Sequence, residues 1–153
     1  MEVRKDLKFL RQKSEPVLEI DGSIRDLVDQ MVDVIDLERG AGLAAPQVGV
    51  LKRLVLVRFE DNEIVPFINP IILERGSEKD IVEEGCLSLP DQLVNVKRPT
   101  YVRVRFLDIE GNTIECDLEG LEARIIQHEI DHLNGTLIID YISLVDKIKK
   151  IFN

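Results

Sequence analysis

Residues 121–135 read LEARIIQHEIDHLNG. Apolar residues at helical spacing predict a helix over Leu121 to Leu133, and Asn134-Gly135 supplies its C-terminal stop. Upstream, strand-like runs cover Arg53 to Phe59, Glu63 to Ile72 and Val94 to Val96, and two more flank a turn at Glu110-Gly111-Asn112. These predict an antiparallel, meandering sheet. Earlier still, SIRDLVDQMVDVIDLERG places Ile24, Leu27, Val28, Met31, Val32 and Ile35 three and four apart, with Ser23 as N-cap, so a first amphipathic helix ends near Gly40. Helix, strands, helix, without βαβ alternation, is the order of an α+β domain: antiparallel strands around a central helix, with an N-terminal helix before them. The tail SLVDKIKKIFN begins a short C-terminal helix. With 153 residues and no linker, one domain is expected over residues 1–153.

The helix over 121–133 carries the chain's two histidines. His128 and His132 stand at i and i+4, about 40° apart on one face and one turn apart, so both imidazoles reach a single ion. Glu129 projects beside that ion, where it can hold a water and accept its proton. A lone histidine is more often packed or solvated than a ligand. Two histidines at this spacing with a Glu in this slot arise by chance in well under ~1% of such sequences. Leu121 and Ile125 continue the same face, so the histidines extend a buried stripe. The expectation is a metal-dependent hydrolase.

Two histidines leave an ion short of its usual three protein ligands. In the extended motif HExxHxxGxxH, Gly135 matches but Ile138 stands where a third His belongs, which excludes that protease class. A carboxylate or a thiolate remains open.

A formal charge of −9 with scattered Lys and Arg argues against a broad nucleic-acid surface. In MEVRKDLKFL the charges interrupt the apolar residues, so neither a signal peptide nor a membrane span is expected, and the protein is expected in the cytoplasm. Two cysteines in such a chain are thiols, ligands or core residues rather than a staple. Cys116, between Glu115 and Asp117, belongs to no recognisable site motif and is assigned to the core. Cys86 lies in EEGCLSLP, where Gly85 and Pro90 predict a kinked or bulged edge strand. The segment GAGLAAPQVGV from Gly40, with its glycines and small residues, predicts a shaped loop.

Three separated segments, GAGLAAPQ at Gly40 to Gln47, EGCLS at Glu84 to Ser88 and QHEIDH at Gln127 to His132, together resemble the signature motifs of the peptide deformylases, in the same order and with similar spacing. The resemblance implies that Cys86, His128 and His132 bind one divalent metal ion, Fe(II) natively, with Zn(II), Ni(II) or Co(II) also suited to a His₂Cys donor set. It implies that Glu129 is the general acid/base and that Gln47 and the backbone N–H of Leu87 stabilise an oxyanion. The reaction implied is removal of the N-formyl group from the N-terminal methionine of a nascent peptide, releasing formate. The peptide would lie extended along Gly40, Ala41, Gly42, Leu43 and Gly85, pairing by backbone. Its methionine side chain would enter a pocket of Val82, Leu121 and Ile125. Arg124, one turn before His128, stands where helical phase suggests an apolar residue, and the sequence assigns it no role.

Two other readings compete. A metalloprotease would use His128, His132 and a carboxylate, leaving Cys86 structural; a non-catalytic zinc module would close the ion with four protein ligands, against which Glu129 and the free position both speak. Substrates of this family are nascent chains, so the ribosome is a conceivable partner for the basic cluster Lys147, Lys149 and Lys150. An ordinary solvated helix end is the simpler reading of that cluster.

Overall fold

The computed structural model describes residues 1–143, 146–147 and 151. A short helix, α1 (Leu7–Leu10), precedes α2 (Gly22–Leu37), and the strands are β1 (Gly42–Ala44), β2 (Leu54–Arg58), β3 (Ile64–Arg75), β4 (Lys79–Cys86), β5 (Leu89–Pro99), β6 (Tyr101–Leu107) and β7 (Thr113–Glu119). Helix α3 (Gly120–Leu133) follows, then a 3-10 turn at Ile138–Tyr141. All strand pairings are antiparallel. The expected tail helix falls largely outside the described residues.

The single expected meander is instead two sheets, one of five strands in the order β1-β2-β3-β6-β7 and one of two, β4-β5. The short strand expected at Val94 to Val96 is the middle of β5, which pairs with β4 through a turn at Leu87-Ser88. Charged residues on the outer face, Glu83 opposite Asn95 and Ile81 opposite Lys97, dilute the hydrophobic signal of this hairpin. The N-cap of α2 is Asp21 rather than Ser23; its carboxylate accepts from the Ile24 N–H at 3.2 Å and from the Ser23 hydroxyl at 2.6 Å.

Strand β2 is buried on both faces, which explains its unbroken apolar run LVLV. Leu54 and Leu56 pack with Ile24, Leu27, Met31 and Ile35 of α2. Val55 and Val57 point the other way, joining Phe67, Val104 and Phe106 against Ala123, Ile126, Ile130 and Leu133 of α3. The sheet thus separates α2 from α3, and α3 in turn lies between this sheet and the β4-β5 hairpin, to which it is hydrogen-bonded from Arg124 and Gln127.

Phe67 is 1% exposed and its ring centroid lies 4.1 Å from that of Phe106. Truncation to alanine removes the ring and leaves a cavity between sheet and α3. Phe67→Ala is expected to lower unfolding free energy by about 3–5 kcal/mol in urea denaturation; a loss below about 1 kcal/mol would show that this core closes around the gap.

Candidate metal centre and active site

Helical phase brings His128 and His132 to one side of α3, with ring centroids 5.2 Å apart. Cys86 reaches them from the end of β4. The Glu84/Cys86 register shift, with Gly85 as the extra residue, bulges the strand there. Cys86 Sγ lies 3.4 Å from His132 Nε2, and one donor atom from each of Cys86, His128 and His132 falls within 4.8 Å of the others. Ligands around a tetrahedral ion at ~2.0–2.3 Å stand roughly 3.3–3.8 Å apart, so the cluster fits a divalent metal of the zinc or iron type. Cys116 is half-buried on β7 and belongs to no such cluster among the described residues.

Electrostatics around the cluster are set by a buried carboxylate. Glu84 Oε1 accepts from His128 Nδ1 at 2.9 Å and from Arg98 at 3.0 Å, while Oε2 accepts from Arg98 at 2.7 Å and from Arg124 at 2.5 Å. Burial pushes Glu84 up, but the hydrogen bonds from His128 and Arg98 outweigh it and hold the carboxyl down at about 2. With Nδ1–H given to Glu84, the Nε2 of His128 is the nitrogen left to bind an ion, the carboxylate–histidine arrangement common around metals. Arg98 also bonds Asp131 of α3 at 2.9 Å, and the Tyr141 hydroxyl donates to the same carboxylate at 2.6 Å.

Burial opposes a charge on His128, yet the nearby Glu129 and the bonds to Cys86 and Glu84 raise it to about 10. Its proton is what a ligating imidazole must give up to an ion. Burial, with the positive charge of His128, drops His132 to about 3, so its ring is neutral. Glu129 is 3% exposed and burial lifts it to about 7, with His128 and Arg98 opposing. Its Oε2 and the Nδ1 of His132 are buried without a protein partner. An unpaired carboxylate oxygen at this depth is costly, and its place beside three donors marks a ligand site, whereas Nδ1 is not the His132 nitrogen that faces Cys86.

The shaped loop resolves into β1 and a 3-10 turn over Ala45–Val48. Gln47 is 1% exposed; its Oε1 accepts from the Ala44 N–H at 2.9 Å, which orients Nε2 toward Ser88 Oγ at 3.2 Å and Cys86 Sγ at 3.6 Å. Leu87 occupies the β4-β5 turn beside Cys86. Gly42 is required by protein contacts: a Cβ there would stand 2.8 Å from Ile125 Cγ2 and 3.0 Å from Glu129 Cγ. At Gly40 a Cβ would stand 3.0 Å from Leu87 Cδ1. Close packing thus accounts for Gly42, whereas at Gly40 the near atom is the end of a flexible side chain.

A cleft of about 990 Å³ opens over these groups. It is lined by Gln47, Cys86, Leu87, His128 and Glu129, by Gly40, Ala41, Gly42 and Gly85, and by Val82, Leu121, Arg124 and Ile125. Leu43, expected along the peptide, is fully buried in the core against α2 and is not part of the lining. The sequence reading missed Glu84, Arg98, Ser88 and the segment Met1 to Val3, whose residues also border the cleft. Glu84 and Ser88 lay inside the quoted EGCLS motif; Arg98 had no motif to mark it.

The sequence profile of the polypeptide deformylases matches residues 3–148. The chain belongs to the polypeptide deformylase family. A peptide deformylase of Afipia carboxidovorans is 47% identical, over 95% of this chain and 88% of that protein. Peptide deformylase 1 of Rickettsia conorii is 42% identical, over 94% of this chain and 91% of its own length. Among solved structures, the deformylase of Ehrlichia chaffeensis in complex with actinonin superimposes with a TM-score of 0.90 at 37% identity, covering 99% of this chain and 96% of that one. The Thermotoga maritima deformylase gives 0.89 at 40% identity, covering 93% and 97%.

Glu84 connects the site to stability. Its carboxyl is about 2 when folded against an ordinary 4.5, so it stabilises the fold above about pH 4.5 and that contribution is lost as pH falls toward 2. In metal-free protein, Glu84→Gln should remove roughly 2–4 kcal/mol of stability at pH 7 and flatten the dependence between those two pH values. Unchanged pH dependence in urea titrations of the variant would show that other carboxylates govern acid unfolding.

Proposed function

We propose that the chain hydrolyses the N-formyl group of formyl-methionyl peptides, releasing formate and a free amino terminus. The observation that carries this is the meeting of the Cys86, His128 and His132 donor atoms, all within 4.8 Å of one another, with the buried Glu129 carboxylate, whose Oε2 has no protein partner and whose Oε1 lies 3.7 Å from His128 Nε2. A divalent ion held by those three residues would supply Lewis acidity, polarising a carbonyl and acidifying water toward neutral pH. Fe(II) is the native ion of this reading, and Zn(II), Co(II) and Ni(II) suit the same donors.

The protein's own groups do the rest. Glu129, buried beside the three donors, takes a proton from the attacking water and returns it to the departing nitrogen. As the water oxygen bonds to the formyl carbon, negative charge grows on the formyl oxygen, and the C–N bond then breaks. Gln47 Nε2 keeps one hydrogen on Ser88 and can turn the other, now on a weak 3.6 Å contact with Cys86, toward that oxygen. The Leu87 N–H is the second donor. The peptide backbone runs along Gly40 to Gly42 and Gly85, with its methionine side chain against Val82, Leu121 and Ile125.

No helix among the described residues is long and apolar enough to cross a membrane. The reading places the reaction in the cytoplasm, on nascent chains, in one catalytic domain. Lys147 is the only described member of the basic tail cluster, and ordinary solvation accounts for it.

Formate release from formyl-Met-Ala by anaerobically iron-loaded protein tests the reading. Wild type is expected to turn over, Glu129→Ala and Cys86→Ala to be inactive, and Gln47→Ala to lose ~10²–10³ in kcat while retaining metal. Full turnover by Cys86→Ala would take the thiolate out of the ligand set in favour of a carboxylate, and no formate release by wild type would return the site to the protease reading.

A further inference from the structure

Arg124 is 7% exposed, yet it lines the cleft beside Leu121, Ile125 and His128. Its guanidinium spends four of its N–H bonds on the hairpin opposite. NH1 donates to Glu84 Oε2 at 2.5 Å and to the Val96 carbonyl at 3.0 Å; NH2 donates to Asp80 Oδ1 at 2.6 Å and to the Asp80 carbonyl at 3.1 Å. Along β4 the side chains alternate, so Asp80, Val82 and Glu84 share the face toward α3. Val96 is the residue paired with Val82 across the hairpin. The guanidinium therefore grips Asp80 and Glu84, two positions either side of Val82, and Val96 opposite it. Val82 lines the cleft and is 42% exposed, while Leu121 and Ile125 face it from the helix that carries Arg124.

We propose that Arg124, with Asp80, is a specificity-determining clamp that fixes the distance between Val82 and α3, and so the width of the pocket for the substrate's first side chain. This rests on the deformylase reading and deepens it. An apolar residue at position 124 would enlarge the greasy surface but leave the hairpin wall free to move outward. The planar fork of arginine serves the carboxylates at 80 and 84 together; a lysine ammonium on its flexible stem holds one of them at a time. Size discrimination by an apolar pocket depends on such a fixed wall, since a single methylene is worth only about 10–200-fold.

The test compares kcat and KM for formyl-Met-Ala and formyl-Phe-Ala in metal-loaded wild type, Arg124→Ala, Arg124→Lys and Asp80→Ala, with the melting temperature of each. Asp80 has a side chain 55% exposed, so its replacement leaves the fold intact even if Arg124→Ala does not fold. The expected result is a Met-to-Phe preference in kcat/KM that falls about tenfold in Arg124→Lys and Asp80→Ala, through a rise in KM for the methionyl peptide. A lowered melting temperature with an unchanged preference would overturn the clamp and leave a purely structural contact. Wild type that releases no formate from either peptide would bring down the deformylase reading itself, and the pocket's ligand with it.

Discussion

The site depends on one buried carboxylate held between cations. Glu84 is 7% exposed and hydrogen-bonded by Arg98, Arg124 and His128, which come from β5 and α3. Because β4 and β5 belong to a sheet separate from the main one, no backbone ladder fixes the hairpin against α3. Side chains do it: Arg98 to Asp131, Arg124 to Glu84 and Asp80, and Gln127 to the Pro99 carbonyl at 3.0 Å. Cys86 is carried on the hairpin and the two histidines on the helix, so this polar seam decides whether three donor atoms meet.

Such a seam adds little stability over an apolar equivalent, because desolvating the charges offsets much of their attraction, whereas removing one partner leaves a buried charge uncompensated at ~3–5 kcal/mol. Stability comes instead from the two apolar clusters on the faces of the five-stranded sheet. Packing also shapes the chemistry: β1 approaches α3 closely enough that a Cβ at Gly42 would stand 3.0 Å from Glu129 Cγ, and burial lifts the Glu129 carboxyl to about 7.

Much of this was legible in the residues. The period of α2 and α3, the Gly135 stop and the unbroken apolar run of β2 follow from local rules, and the histidine pair follows from helical phase. The β4-β5 hairpin was legible only at the bulged strand around Cys86 and at Val94 to Val96, because its outer face is charged and its inner face includes Glu84 and Arg98, buried polar residues that a hydrophobic pattern cannot register. Two sheets could not be told from one, since strand adjacency is decided by tertiary contact. Arg124 was unplaceable for the same reason: its partners lie 28 to 44 residues away along the chain.

The central claim is that Cys86 joins His128 and His132 in holding one divalent ion. Anaerobic titration of metal-free protein with Co(II), followed by absorption, tests it directly. One equivalent should bind with a sulfur-to-cobalt charge-transfer band that vanishes in Cys86→Ser, with both histidine substitutions weakening uptake. Saturation without that band, or an identical spectrum from Cys86→Ser, would contradict it and place the ion on other ligands.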